Sequence, residues 1–242
     1  MNSGGQLAVT ITVTLTALLT FWAASRLGQR GVDHWLSAQE RETLHRIRWP
    51  WWVATALCSV LVSLITKTSL LASFDVTMLI ASGVFLGAYV GLLFALVRID
   101  LASRLLPDQL TAALLLSGLI FHGLFSTGQL MAGVIGAALG YGFLWLIAKL
   151  FEALRGQEAM GRGDFFMAAG LGAWLGWQAL PLLLMLASVS ALIAAITIKM
   201  AAKLGRHHGV VNGSSHPFLK QEIAFGPALA LGGIATWVLQ HG

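Results

Sequence analysis

Two aspartates, each beside an apolar run, are the residues of this chain best suited to chemistry. Asp164 follows a Gly-Arg-Gly sequence and stands at the start of the apolar run 165–177. Asp100 stands just after another apolar run, residues 76–97. A charge is costly at the edge of a membrane, so an aspartate kept there usually has a function. The two glycines before Asp164 let the backbone turn tightly and approach other groups closely.

Two carboxylates that lie close together cannot both ionise comfortably, so they share one proton. The ionised carboxylate can take a proton from a water molecule that attacks a peptide carbonyl. The protonated one can polarise that carbonyl and help the amine to leave. Asp100 and Asp164 therefore predict an aspartyl peptidase if the fold brings them together. They lie 64 positions apart, and the local sequence leaves open that each only caps a helix or pairs with an arginine.

Helix dipoles predict which of the two aspartates carries the shared proton. Asp100 follows the carboxyl end of its predicted helix, where the dipole disfavours a negative charge. Asp164 precedes the amino end of its predicted helix, where the dipole favours one. The sequence therefore predicts Asp100 as the protonated partner.

The composition predicts an all-α, polytopic membrane protein. Of the 242 residues, 57% are hydrophobic and 10% are charged, whereas a soluble domain has about 25% charged residues. A membrane helix needs about 20 mainly apolar residues. Eight runs are candidates, namely residues 7–24, 51–66, 76–97, 110–125, 130–150, 165–177, 180–198 and 223–239. The first two form a predicted N-terminal region, 1–75, and the other six form a predicted core, 76–242, that holds both aspartates.

The positive charges predict how these helices are oriented. Lysine and arginine near helix ends mark the cytoplasmic side. The alternate loops on one side of the eight predicted helices, together with the helix end at Lys149, contain 14 of the 15 lysines and arginines. Asp100, Asp108 and Asp164 then face the cytoplasm, and the basic residues are orientation signals and contacts for membrane lipids. We expect no nucleic-acid binding, because that function groups positive charges on a soluble domain.

Other kinds of chemistry have weaker support. A single cysteine, Cys58, excludes an internal disulfide and a cysteine-cluster zinc site. The histidines of the predicted seventh loop have no nearby cysteine or carboxylate to complete a metal site, so no metal is expected. Asp108 follows Pro107 and can cap the helix that starts there, or it can assist the dyad.

Three motifs occur in order along the second part of the chain. Asp100 is followed by Leu-Leu-Pro-Asp at 105–108, the Gly-Arg-Gly-Asp sequence ends at Asp164, and Phe-Gly-Pro occurs at 225–227. In these motifs the chain resembles, over about residues 76–240, the type IV prepilin peptidases. These are GxGD-type aspartyl proteases of the bacterial inner membrane. The resemblance is based on the order of the motifs, on the intervals between them and on their predicted location at the same side of the membrane.

The resemblance implies that Asp100 and Asp164 are the catalytic pair. It also implies a set of supporting motif residues, namely Gly161, Gly163, Pro107, Asp108, Phe225, Gly226 and Pro227. The implied substrates are prepilins of type IV pili or pseudopilins of type II secretion. Their short basic leader would be removed at the cytoplasmic face. The alternatives are a non-catalytic membrane subunit of a pilus or secretion assembly machine, and a transporter that uses both aspartates as proton carriers.

Two departures from the family pattern limit what the resemblance implies. Members often carry a cysteine-rich zinc domain after the first helix, and many methylate the new N-terminus with S-adenosylmethionine. Here the corresponding loop has about 25 residues and no cysteine. We therefore expect neither zinc nor S-adenosylmethionine, and N-methylation is not expected. The second departure is Phe166, where family members often have a lysine.

Overall fold

The structure, a computed structural model, describes residues 15–23, 26, 76–156, 160–207 and 225–241. Six α-helices follow one another in these ranges: α1 Val76–Ser103, α2 Asp108–Phe125, α3 Thr127–Arg155, α4 Arg162–Leu175, α5 Leu180–His207 and α6 Gly226–His241. A 3₁₀ turn, Trp177–Ala179, joins α4 to α5, and residues 15–23 are also helical. No strand occurs in the described ranges, so the prediction of an all-α fold is confirmed.

Four helical segments in the described ranges are long and apolar enough to cross a membrane. They are Ile80–Ser103, Asp108–Phe125, Thr127–Arg155 and Trp177–Met200. Helices α4 and α6, at the predicted spans 165–177 and 223–239, have 14 and 16 residues. Both are shorter than the roughly 20 residues that a full crossing needs. The total of eight spans stays a prediction, and so does the division at residue 75, because the predicted span 51–66 lies outside the described residues.

Helix α4 is packed mainly against α2 and α3, and every residue from Met167 to Leu175 is buried. Small residues make this close packing possible. Gly172 of α4 lies so close to Gly136 of α3 that neither position has room for a Cβ atom. A Cβ on Gly140 would lie 2.6 Å from the carbonyl oxygen of Ala168. Small residues spaced four apart let helices approach closely, and the contacts of Gly136, Gly140 and Gly172 are of this kind.

Trp174 fixes the far end of α4 against α2. Its indole Nε1 donates a hydrogen bond to the carbonyl oxygen of Leu114 at 3.0 Å. Its ring stacks on Phe121 with the centroids 5.1 Å apart. One residue beyond the helix, Gly176 has a φ of 78°, a backbone conformation that glycine adopts without steric cost. The chain turns at Gly176 towards α5. The end of α4 is therefore held in place by Trp174 on one side and by this turn on the other.

Large apolar side chains cover the outer faces of α3 and α5. Leu146 and Leu154 of α3 are 59% and 77% exposed, and Leu192 of α5 is 60% exposed. A soluble protein rarely exposes a continuous apolar surface of this kind. In a membrane these side chains would contact lipid, which agrees with the length and composition of the helices.

Candidate active site

Asp100 lies in the last turn of α1, and its side chain is buried, with 4% exposed. Its Oδ2 accepts a hydrogen bond from the backbone N–H of Gly226, the first residue of α6, at 3.0 Å. Burial disfavours the ionised form of this carboxylate, and the Gly226 hydrogen bond and the positive charge of Arg104 oppose that effect. Arg104 has a φ of 56°, a left-handed conformation that reverses the chain directly after α1. Helix α1 ends at Ser103, so Asp100 lies inside its helix. The predicted span 76–97 had placed Asp100 beyond the end of the helix.

Asp164 is the third residue of α4 and is half-buried. Its backbone N–H donates to the carbonyl oxygen of Gly161, which caps the helix, at 3.2 Å. The negative charge of Asp100 acts directly on the Asp164 carboxyl. The structure therefore brings the two sequence-predicted aspartates to the same end of the helix bundle, although they come from different helices. The two carboxylates are thus near enough for the charge of one to act on the other.

Burial raises the pKa of Asp164 to about 7. Burial is the largest contribution to this pKa, the nearby charge of Asp100 adds to it, and a hydrogen bond from the Gly161 backbone opposes both effects. Burial and the neighbouring carboxylate therefore favour the protonated form of Asp164 near neutral pH. Asp100 has a buried backbone donor on its Oδ2, which stabilises its ionised form.

This assignment of the proton is opposite to the one predicted from the sequence. The prediction weighed only the dipole of each aspartate's own helix, which contributes about 0.3–1 kcal/mol. A hydrogen bond to a charged group contributes about 1.5–3 kcal/mol, so the bond from Gly226 outweighs the dipole of α1. Helix α6 also directs its positive end at Asp100, which no local sequence pattern shows.

The two glycines before Asp164 have different roles. A Cβ on Gly163 would lie 2.5 Å from the Cβ of Leu106 and 3.1 Å from its carbonyl oxygen. The absence of a side chain at Gly163 therefore lets α4 approach the turn between α1 and α2. Gly161 has φ −70° and ψ 148°, and a Cβ there would meet only the Asp164 carboxylate, at 3.8 Å. The predicted close approach is found at Gly163, whereas neither glycine adopts a backbone conformation that other residues avoid.

The Leu-Leu-Pro-Asp motif forms the start of α2. Pro107 is the capping residue, and its carbonyl oxygen accepts hydrogen bonds from the N–H groups of Leu110 and Thr111 at 3.1 and 3.2 Å. Asp108 is the first helical residue and is exposed. Its charge faces the positive end of the α2 dipole, but it does not occupy the capping position. The interpretation of Asp108 as the helix cap is therefore wrong.

The Phe-Gly-Pro motif forms the start of α6. Phe225 packs against the apolar core, and its carbonyl oxygen accepts a hydrogen bond from the N–H of Leu229 at 3.0 Å. Pro227 lies in the first turn, where its missing N–H leaves no helical bond unmade. Gly226, between them, is the residue that contacts Asp100. The sequence connected this motif to the site only through the family resemblance, and the structure supplies the contact.

Two further residues at the site had no role assigned from the sequence. Leu106 supports Gly163, and its only signal was its place in the Leu-Leu-Pro-Asp motif. Phe166, at the position where the family often has lysine, packs edge-on against Tyr141 with ring centroids 5.2 Å apart. In the ranges that the structure describes, no group of three or more His, Cys, Asp or Glu residues is arranged to hold a metal ion. His208 and His216 of the predicted seventh loop lie outside those ranges.

The raised pKa of Asp164 predicts a pH-dependent gain in stability from Asp164→Asn. A carboxyl whose pKa is higher in the folded state favours folding most below its unfolded pKa of 3.8. That contribution is lost as the pH rises from about 4 to about 7, because the folded protein must then bury the charge. We expect the melting temperature of Asp164→Asn in detergent to exceed that of the unsubstituted protein by about 2–4 °C more at pH 8 than at pH 5.

Glu152→Gln is the matched control for this stability measurement. Glu152 forms a surface ion pair with Lys149 at 2.6 Å, with 40% of its side chain exposed. Such pairs contribute little to stability, so its substitution is expected to shift the melting temperature by a similar small amount at both pH values. Equal shifts for Asp164→Asn at pH 5 and pH 8 would contradict the raised pKa.

The fold and the site define a helical membrane protein with two interacting carboxylates at one end of its bundle. The model of the type IV leader peptidase family matches residues 88–196. A prepilin leader peptidase/N-methyltransferase of Pectobacterium carotovorum subsp. carotovorum is 36% identical over 207 residues, which are 82% of this chain and 70% of that protein. The chain therefore belongs to the type IV leader peptidase family.

Two other relatives have the same name and a higher identity over a shorter region. The protein of Dickeya chrysanthemi is 42% identical over 149 residues, which are 62% of this chain and 48% of the relative. That of Aeromonas salmonicida strain A449 is 47% identical over 146 residues, 60% of this chain and 45% of the relative. The chain thus spans about half the length of these two relatives. No solved structure gives a significant match.

Proposed function

We propose that the protein is an aspartyl endopeptidase that removes the leader of type IV prepilins or of type II secretion pseudopilins. The observation that carries this proposal is the interacting pair Asp100 and Asp164 at one end of the bundle. Membership of the type IV leader peptidase family supports the peptidase activity. The names of the relatives support prepilins as the substrate class.

The two carboxylates divide the chemistry between them. Asp100, as the ionised partner, takes a proton from a water molecule while the water oxygen attacks the scissile carbonyl carbon. Asp164 gives its proton to the carbonyl oxygen, which produces a tetrahedral diol. Asp100 then delivers its proton to the amide nitrogen and the C–N bond breaks. The carbonyl re-forms as Asp164 recovers its proton, so the dyad returns to its starting state.

We also propose that the dyad faces the cytoplasm from the bacterial inner membrane. Arg104 follows α1, Arg155 ends α3 and Arg162 begins α4, so all three arginines lie at the same end of the bundle as the dyad. Positive charges near helix ends favour the cytoplasmic side. A substrate leader would then remain in the cytoplasm while the hydrophobic segment after it lies in lipid beside the apolar outer faces of the helices.

The proposed cleavage uses no cofactor, since both proton transfers are assigned to carboxylates of this chain. The names of the relatives also include N-methyltransferase. Methyl transfer, zinc and S-adenosylmethionine are not part of the proposal, because the predicted first loop lacks the cysteines connected with that activity. Prepilins or pseudopilins and membrane lipids are the proposed partners, and nucleic acid is not one of them.

Co-expression with candidate prepilins, in a host without its own prepilin peptidase, tests the proposed function. We expect the mass of the pilin to fall by that of its leader, without the mass of an added methyl group. Prepilin expressed alone is the control and is expected to keep its leader. A full-length prepilin that persists beside abundant, membrane-inserted enzyme, for every prepilin and pseudopilin tried, would contradict the proposal.

A further inference from the structure

We propose that the backbone N–H of Gly226 holds Asp100 as the ionised, correctly oriented base of the dyad, which makes Gly226 a positioning residue. Its catalytic meaning rests on the proposed function. The hydrogen bond itself can be tested without any cleavage assay. The chain position of Gly226, 126 residues from Asp100, explains why no local pattern indicates this role.

The contact between Gly226 and Asp100 is buried on both sides. Gly226 is buried, Asp100 is 4% exposed, and the distance from N to Oδ2 is 3.0 Å. A buried carboxylate is costly unless it has a hydrogen-bond donor. The first N–H groups of a helix have no partner within the helix, so α6 can offer this one without losing a bond of its own. The positive end of the α6 dipole acts in the same direction.

The residues around Gly226 make it suited to this role. A Cβ on residue 226 would lie 2.6 Å from Oδ2 of Asp100 and 3.0 Å from its Cγ, so only glycine fits without moving the carboxylate. Pro227 has no N–H, and Gly226 therefore supplies the only donor of the first two residues of α6. Phe225 packs into the core and holds the start of the helix in place. The packing of Phe225, the small size of Gly226 and the missing N–H of Pro227 thus explain why each residue type of the Phe-Gly-Pro motif suits its position.

Other charged groups act on Asp100, and none of them replaces this bond. Arg104, in the turn after α1, attracts the carboxylate, but its side chain is exposed and its effect is weakened by solvent. Asp164 of α4 repels Asp100 only when both are ionised. The Gly226 donor stabilises the ionised form of Asp100, which favours Asp164 as the carrier of the single proton of the pair. Without it, the two carboxylates would compete for the proton, and fewer molecules would be ready to react.

The first test isolates Asp100 by using the Asp164→Asn background, in which only one carboxyl of the pair can titrate. The infrared band of the protonated acid, identified by its loss on Asp100→Asn, reports the state of Asp100. We expect addition of Gly226→Ala to make this band persist to a pH about one unit higher, because the ionised form has lost its donor. An unchanged titration would overturn the proposal.

Gly233→Ala in the same background is the matched control. Gly233 also lies on α6, and a Cβ there would meet Cδ2 of Leu171 at 2.6 Å, the same separation as at Gly226. This substitution crowds the core without touching the dyad. We expect it to lower thermal stability and to leave the titration of Asp100 unchanged. If both variants shift the titration of Asp100 equally, the cause is a general loosening of α6 and not the loss of the Gly226 hydrogen bond.

A measurement without any substitution at 226 covers the case in which Gly226→Ala does not fold. In protein labelled with ¹⁵N-glycine, the Gly226 amide proton is expected to move downfield as Asp100 ionises. One glycine amide should lose this pH dependence in Asp100→Asn. If no glycine amide responds to Asp100→Asn in this way, the proposed bond is absent.

Cleavage kinetics connect the bond to catalysis. We expect Gly226→Ala to lower kcat by about 10–100-fold with little change in KM, since a displaced base impairs the chemical step and not binding. The acidic limb of the pH–rate profile should move to higher pH. A wild-type enzyme that cleaves no prepilin would refute the proposed function and leave the infrared result intact. Cleavage with an unshifted acidic limb in Gly226→Ala would refute the positioning role alone.

Discussion

Cleavage of a prepilin is expected to fall by at least about a thousandfold in Asp100→Asn and in Asp164→Asn, because each substitution removes one of the two proton-transfer groups. Asparagine has nearly the same shape as aspartate, so both variants should fold and insert into the membrane. The measurement is the rate at which purified enzyme removes the leader in detergent or liposomes, with a melting curve for each variant. The double variant should be no less active than either single one, since the pair acts as a unit.

Glu152→Gln is the matched control for the loss of a carboxylate. Glu152 is close to the dyad end of α3 but is paired on the surface with Lys149, so its loss should leave cleavage near the wild-type rate. Near-normal activity in either dyad variant would exclude the aspartyl mechanism. That result would favour a non-catalytic subunit of the assembly machine. If the wild-type protein carries out proton-coupled transport and both variants lose it, a transporter would be favoured instead.

Gly163→Ala is expected to reduce cleavage by about 10–100-fold, far more than Gly161→Ala. The added Cβ at 163 would lie 2.5 Å from the Cβ of Leu106, and such overpacking costs about 1–3 kcal/mol. The strain falls on the residue directly before Asp164, and small errors in the position of a reacting group reduce rates strongly. The measurement is leader removal at saturating substrate, together with the melting temperature of each variant.

Gly161→Ala is the matched comparison within the same motif. Gly161 is exposed and has backbone angles that alanine adopts readily, and an added Cβ would make only an ordinary contact with the Asp164 carboxylate. We expect an effect within about threefold, since surface changes away from such features cost little. The reverse ranking would show that the substrate, and not Leu106, imposes the need for glycine in this motif.

The identity of the helices could be predicted from the sequence because it depends on local composition. Apolar runs near 76–97, 110–125 and 130–150 reappear as α1, α2 and α3 with shifted ends. Glycines spaced four residues apart are likewise a local pattern that favours close helix packing, as Gly136 and Gly172 show. These features depend on the transfer of side chains from water to an apolar surrounding, and each residue contributes to that on its own. The carboxyl end of α1 was less predictable, since its last six residues include the polar residues Arg98, Asp100 and Ser103.

Motif order and sidedness were enough to propose the pairing of Asp100 with Asp164, whereas the local physics of each segment could not establish it. The protonation of the paired aspartates depends on surrounding groups that come from distant segments of the chain. Burial of Asp164, the charge of Asp100 and the donor from Gly226 all act across the fold. The sequence-based assignment of the proton to Asp100 took none of these effects into account.

Composition and motif order were sufficient to establish an all-α membrane protein with two candidate aspartates and three motifs in sequence. The packed helices were needed to show that Gly226 donates to Asp100, that Leu106 needs Gly163 and that burial favours the protonated form of Asp164. The physical reason is that hydrophobic burial is summed residue by residue along the chain. Hydrogen bonds and charge interactions instead depend on distances of a few ångströms between groups that lie far apart in sequence.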